Sequence, residues 1–194
     1  MVDSSSPATF LVEGDRSVLA LIDSPFFTVI EVVLEEGRHP EIQERCAGLG
    51  IPCETLTREG MLARGRADFL RGACAVAERP GRAEPDDEFL AGARRLLIPV
   101  DFSDGGNLGP IIRTACAFGL DGIIVEEGRG MDIFSPKCLR SSALALSRVP
   151  VFQVPRLGIS LERLAEAGFI LLGVSKADAS LPLPEVSPGR RTAV

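Results

Sequence analysis

The sequence predicts an α/β protein in which a small mixed block precedes a larger parallel sheet. Three observations carry this. Short β-branched and aliphatic runs, such as TVIEVVL at 28–34 and GIIVEE at 122–127, alternate with stretches whose apolar residues recur at helical spacing. From position 96 onward the strand runs are apolar nearly throughout, as in strands buried on both faces of a parallel sheet. The segment ERPGRAEPDD at 78–87 is charged and broken by prolines, which marks a linker between the two blocks.

The elements follow in order. A first helix is expected over 15–23, with Val18, Leu19, Leu21 and Ile22 as its apolar side. A buried strand follows at 28–34. A helix at 41–49 has Ile42, Cys46 and Leu49 in step and Gly50 at its stop. A strand at 52–56, a short helix at 58–63 and a strand at 73–77 complete a block of residues 1–80. The linker occupies 81–95, with a short helix possible from 88. Residues 96–194 repeat strand and helix: strands at 96–101, 122–127, 151–155 and 169–175, and helices at 110–118, 136–146 and 160–167. Arg190 to Val194 reads as the opening of one more strand.

Composition narrows the function. The 194 residues carry a net charge of −6, which argues against a duplex binder held mainly by phosphate contacts. A local basic groove remains compatible with that total, because exposed charges are screened beyond roughly 8 Å at physiological salt. Cys46, Cys53, Cys74, Cys116 and Cys138 form no C-x-x-C pair, and His39 is the one histidine. No metal site and no disulfide framework is expected; buried reduced thiols are the plain reading. The polar, acidic start lacks the pattern of a secretory leader, and no run is long enough to span a bilayer. A soluble cytoplasmic protein is expected.

The segment DFSDGGNLGPIIRTACAFG, 101–119, carries the chemistry. It leaves a strand end, where open α/β sheets bind ligands, and enters a helix. Gly105, Gly106 and Gly109 allow a tight turn close to a ligand, and Pro110 suits the first helical position. A helix N-terminus there would attract a phosphate. Arg113, on the expected first turn, has a fork that matches phosphate, and Asn107 can donate and accept. Ile111, Ile112, Ala115 and Phe118 are the expected buried side. Two plainer readings stay open: a generic dinucleotide loop, though the spacing is G-G-x-x-G, and an Arg113 that merely makes surface contacts.

Asn107 to Ala115 (NLGPIIRTA), followed by Phe118-Gly119, resembles the first motif of the SpoU/TrmH RNA ribose 2′-O-methyltransferases of the SPOUT superfamily. SPKCLRSSALALSRVPVF, 135–152, is similar to a second family stretch. Val12-Glu13-Gly14 and RGACAVAERP, 71–80, resemble the ends of the family's small N-terminal domain. The resemblance implies a ribosomal-protein-like α/β substrate-binding domain at 1–80 and a Rossmann-like parallel-sheet SPOUT domain from 96. It implies S-adenosylmethionine as cofactor, rRNA or tRNA as partner, no membrane, and a homodimer built around a deep trefoil knot. By resemblance Asn107 and Arg113 are catalytic. Glu13, Gly14, Arg71, Gly109, Lys137, Arg140 and Ser142 would contact RNA, with solvated surface charge an equal alternative for Lys137 and Arg140.

The chain departs from the family pattern. The cofactor motifs are expected beyond Val194, so none of these residues is assigned to the cofactor. The expectation is a domain with its knot segment missing, inactive by itself, with a weakened or absent dimer. Leu144 stands where many relatives have glycine, and Leu70 where histidine is common. Besides the methyltransferase, two further readings are a non-catalytic RNA-binding or assembly module and a small-molecule enzyme with an anion site at 109–113.

Overall fold

Alternation of buried Phe10 and Val12 with half-buried Thr9, Leu11 and Glu13 makes 9–13 a strand with one face inward, an element the patterns above do not mark. The computed structural model describes residues 9–63, 72–81, 83–174, 181–187 and 189–194. Strand β1 (Thr9–Glu13) leads through Gly14 into α1 (Asp15–Ile22). Then come β2 (Val29–Glu35), α2 (Pro40–Leu49), β3 (Cys53–Leu56), α3 (Arg58–Ala63) and β4 (Ala73–Glu78). The strands form one sheet in the order β1-β4-β2-β3. Its β1–β4 and β4–β2 pairs are antiparallel and its β2–β3 pair is parallel. Leu21 and Ile22 of α1 and Ile42 and Cys46 of α2 join Val32, Leu34 and Ala75 of the sheet in one buried cluster. Met61 of α3 packs with Val33 and Cys74, which alternation places on the opposite face.

The second sheet is wholly parallel, as its apolar strands predict. It contains β5 (Arg95–Leu97), β6 (Gly122–Glu126), β7 (Val151–Val154), β8 (Ile170–Leu171) and β9 (Thr192–Ala193) in the order β7-β6-β5-β9-β8. Helices α4 (Asp87–Gly92) and α7 (Leu157–Glu166) pack Leu90, Leu157 and Leu164 with Leu96, Ile124 and Val154. Helices α5 (Gly105–Ala117) and α6 (Pro136–Ser141) pack Leu108, Ile112, Cys138 and Leu139 with Ile123 and Val151. From β5 the chain steps outward to β6 and β7, returns to the far edge as β8, and inserts β9 beside β5. The direction of winding therefore reverses at β5.

The expected strand at the end of the chain is present, and a side chain holds it. Arg191 donates to the carbonyls of Leu90, Ala93 and Ala167 and lies over the Phe169 ring, 4.2 Å from its centre. One guanidinium thus satisfies carbonyls at the ends of α4 and α7, groups a helix leaves unpaired.

Several expectations need correction. The linker expected at 81–95 contains α4, close to the short helix expected from 88, and the first residue of β5, and it is bonded to the second sheet. The amide of Ala83 donates to Gln153 O at 3.1 Å, Ser160 Oγ to Glu84 at 2.7 Å, and Arg163 to Asp87 at 2.8 Å. The strands expected at 96–101 and 169–175 are shorter, ending at Leu97 and Leu171. The helix expected over 136–146 stops at Ser141. Ala143 and Leu144 have φ of 50° and 52°, a left-handed pair that no helix continues through, and a 3-10 turn follows at Ala145–Arg148. This explains why glycine suits position 144. Leu70, like Arg71, lies outside the described residues.

Helices α5 and α6 meet at backbone distance. A Cβ on Gly109 would lie 1.9 Å from Ser141 Oγ and 2.7 Å from the Ser142 nitrogen. Ser141 Oγ fills that space and donates to Gly105 O at 2.7 Å. Gly109→Ala must therefore push the helices apart, at a cost of about 1–3 kcal/mol. Thermal unfolding should show a Tm several degrees lower, and an unchanged Tm would mean the helices do not meet at Gly109.

Candidate active site

The site grows from the loop between β5 and α5. Asp104 caps α5: its carboxylate accepts from the Gly106 amide at 2.8 Å, and it pairs with Lys137 Nζ at 2.5 Å. The helix consequently starts at Gly105, five residues before the start predicted from Pro110. Pro110 lies inside the helix, and Arg113 is on its third turn instead of its first. The expected open N-terminus for a phosphate is corrected too, because Asp104 already occupies it with a negative charge. Lys137, then the Gly106 amide, holds the Asp104 carboxyl below the usual carboxylate range.

The sequence-predicted residues fall into three groups. Asn107, Arg113, Lys137 and Arg140 are exposed. At roughly 100° per residue Arg113 lies about 20° from Gly106 and about 120° from Asn107 around the helix. A Cβ on Gly106 would meet Lys137 Cε at 3.2 Å. Arg113 and Lys137 therefore flank the α6 side of α5, and Asn107 faces away from that seam. Arg140 lies 3.7 Å from Glu13, which joins two predicted RNA contacts across the two sheets. The second group is structural. Ser142 is fully buried and donates to Leu139 O at 3.1 Å, so the prediction that it touches RNA is corrected. Gly109 is buried against α6, and its missing Cβ serves helix packing. Gly14, with φ of 90°, turns β1 into α1 while its amide donates to Ala73 O at 2.9 Å. Finally, Arg71 lies outside the described residues. The expected buried side of α5 is also corrected: Ile112 is buried, but Ile111 is 39% and Phe118 76% exposed, the core being reached instead by Leu108 and Gly109.

Two features escaped sequence reasoning. The first is an apolar groove of about 520 Å³ at the carboxyl ends of β5, β8 and β9, lined by Ile98, Val100, Ile111, Leu172, Val174 and Val194 among others. It sits where the strand order reverses, the usual place for a ligand in such a sheet. Among the described residues that line it, the side chains are apolar and supply no partner for a charged group. The second is an ionic brace. Arg129 binds Asp101 at 2.9 and 3.0 Å and Glu126 at 3.1 Å, and Glu126 also accepts from the Leu157 amide at 3.0 Å. It ties the ends of β5 and β6 to the start of α7. Asp101, with φ of 53°, is held in a strained conformation there.

A model of the SpoU rRNA Methylase family matches residues 94–194. The chain belongs to this family. A Bacillus subtilis relative, 23S rRNA (guanosine(2553)-2′-O)-methyltransferase RlmP, is 34% identical over 143 residues, covering 74% of this chain and 53% of the relative. A putative TrmH family tRNA/rRNA methyltransferase of Staphylococcus aureus is 30% identical over 127 residues, covering 60% and 51%. The chain thus spans about half the length of these two relatives. Among solved structures, an rRNA methyltransferase from Sinorhizobium meliloti shares the fold with a TM-score of 0.76 at 19% identity, over 96% of this chain and 70% of that one. The SpoU methyltransferase AviRb from Streptomyces viridochromogenes gives 0.69 at 24%, over 87% and 64%. In this SpoU-family chain the family match takes in the second sheet from just before β5, and with it α5 and α6.

Arg129 lowers the Asp101 carboxyl; the Leu157 amide, then Arg129, lowers Glu126. Carboxyls depressed in the folded state stabilise it fully above their ordinary values of 3.8 and 4.5, and that contribution disappears as pH falls through the depressed values. Tm should therefore drop as pH is lowered below about 4, and Arg129→Met should flatten that acid limb. An acid limb that is equally steep in Arg129→Met would show the brace contributes nothing.

Proposed function

We propose that this protein transfers a methyl group from S-adenosylmethionine to a ribose 2′-hydroxyl of RNA, with rRNA the favoured substrate. The observation that carries the reading is Asn107 to Ala115 forming most of α5, whose Ile111 lines the groove at the sheet's reversal point, in a chain of the SpoU rRNA Methylase family. The cofactor supplies an activated sulfonium methyl. The residues here must do the remainder: align the ribose hydroxyl with that methyl and ease the loss of its proton.

Arg113 is the group for that task. A guanidinium stays protonated, so it acts through its charge. It grips the phosphate beside the target ribose and stabilises the oxygen as negative charge develops, with the phosphate able to relay the proton. Asn107, in the first turn of the helix on another face, orders the active site. Lys137 on the Arg113 side, Arg140 and Glu13 at the seam between the sheets, and Arg71 extend the RNA path. Gly14 serves that path through the backbone turn it permits, and Gly109 through the close approach of α6 that its missing Cβ allows. The groove walls at Ile98, Leu172 and Val194 suit the adenine ring.

The first sheet, residues 1–80, is read as the RNA substrate-binding part, joined through 81–95 to the methyl-transfer part at 96–194. The uncovered Phe118 on α5, which lies outside that groove, supports a homodimer. The reading includes action in the cytoplasm. Among the described residues no helix is long and apolar enough to cross a membrane.

The test is nucleoside mass spectrometry of rRNA incubated with the protein and S-adenosylmethionine. A ribose-methylated nucleoside should appear. Arg113→Ala should lower kcat by ~100-fold or more, as loss of a transition-state charge does, with Tm within a degree or two of wild type. Full activity in Arg113→Ala would remove this residue from the chemistry, and absence of any ribose methyl would overturn the proposal.

A further inference from the structure

We infer that Arg79 is a positioning residue: it fixes the RNA-bearing first sheet to the turn that starts α6, and through α6 it sets α5 and its Arg113. The inference rests on the functional reading above. Arg79 stands just past the end of β4 with its side chain only 11% exposed. Its two terminal nitrogens donate to the two oxygens of Asp132 at 2.8 and 2.6 Å, a fork-to-fork pair. Its Nε donates to Thr9 O at 3.2 Å, so the same side chain also holds the start of β1. The guanidinium lies 5.2 Å from the centre of the Phe134 ring, which packs on Phe10 at 4.8 Å and Phe27 at 6.0 Å.

Asp132 forms the turn that launches α6: its carboxylate also accepts from the Phe134 amide at 2.9 Å, and Ser135 stands at the N-cap position without a side-chain hydrogen bond to the helix. Helix α6 then places Ser141 against Gly105 and Gly109, and Lys137 against Asp104. Every step from β4 to α5 is a directed bond or a backbone-distance contact. Arg79 is thus a link through which RNA held by the first sheet is brought into register with the helix that works on the ribose. A shift of an ångström at a reacting group costs on the order of 100-fold in rate, so the registration matters.

The experiment compares wild type with Arg79→Met, Arg79→Lys, Asp132→Asn and the double variant Arg79→Met/Asp132→Asn. Binding of a 23S rRNA hairpin is followed by fluorescence anisotropy and methyl transfer at saturating RNA. Arg79→Met should lose ~10- to 100-fold in kcat with Kd for the hairpin changed less than about twofold. Arg79→Lys, which keeps the charge and loses the fork, should recover part of the rate. The double variant should be no worse than Arg79→Met alone. A second readout needs no activity: amide hydrogen exchange over 134–142 should quicken at least ~10-fold in Arg79→Met while α7 is unchanged. Unchanged exchange over 134–142, or a folded Arg79→Met with wild-type kcat, overturns the positioning role. A rate loss accounted for wholly by weaker hairpin binding overturns it as well. Wild-type protein that methylates no RNA overturns the functional reading and is told apart by the exchange result.

Discussion

The contact between α5 and α6 at Gly105, Gly109 and Ser141 is the constraint on which the rest depends. Helix axes come this close only where side chains are absent, and the Ser141 hydroxyl occupies the space and ends on a helix carbonyl. The approach fixes the azimuth of α5. It sends Leu108 and Ile112 into the core, Arg113 toward the α6 flank, and Ile111 and Phe118 outward. The left-handed pair at Ala143 and Leu144 follows from it, since α6 must end abruptly for the chain to reach β7.

Charge is arranged around that contact in proportion to need. Asp104, Lys137, Asp101, Arg129 and Glu126 are exposed or half-exposed, so their pairs contribute modestly to stability. Their value lies in direction: Arg129 joins the loops after β5 and β6, Lys137 of α6 holds the cap of α5, and Glu126 accepts from the start of α7. The buried thiols of Cys46 and Cys138 are a contrast. Burial pushes both up to about 11, which leaves them unreactive fillers of the core.

The two sheets share a continuous apolar cluster through Phe10, Phe27 and Phe134, so the phenylalanines supply the aromatic packing that a chain without Trp or Tyr otherwise lacks. Where RNA is to be held by one sheet and acted on beside the other, a joint of this kind transmits position in a way a loose linker does not. Pro85 is buried and Gln153 donates to Pro80 O, so the connecting segment packs on the second sheet as well.

The sequence by itself determined the α/β class, the parallel second sheet, helices α2 and α3 almost to the residue, and the strand at the chain's end. These follow from local periodicity, Gly50 as a stop and apolar runs, which act over a few residues. The segment Asn107 to Ala115 was legible through its resemblance to the first family motif. Tertiary structure alone decided where α5 begins, because the cap depends on Asp104 meeting Lys137 from α6. It decided which side of α5 is buried, because two glycines rather than the larger apolar residues face the neighbouring helix. It decided that Ser142 is core and that Arg79, Arg129 and Arg191 are anchors. Their partners lie 53, 28 and up to 101 residues away, and no local pattern encodes a contact at such separations.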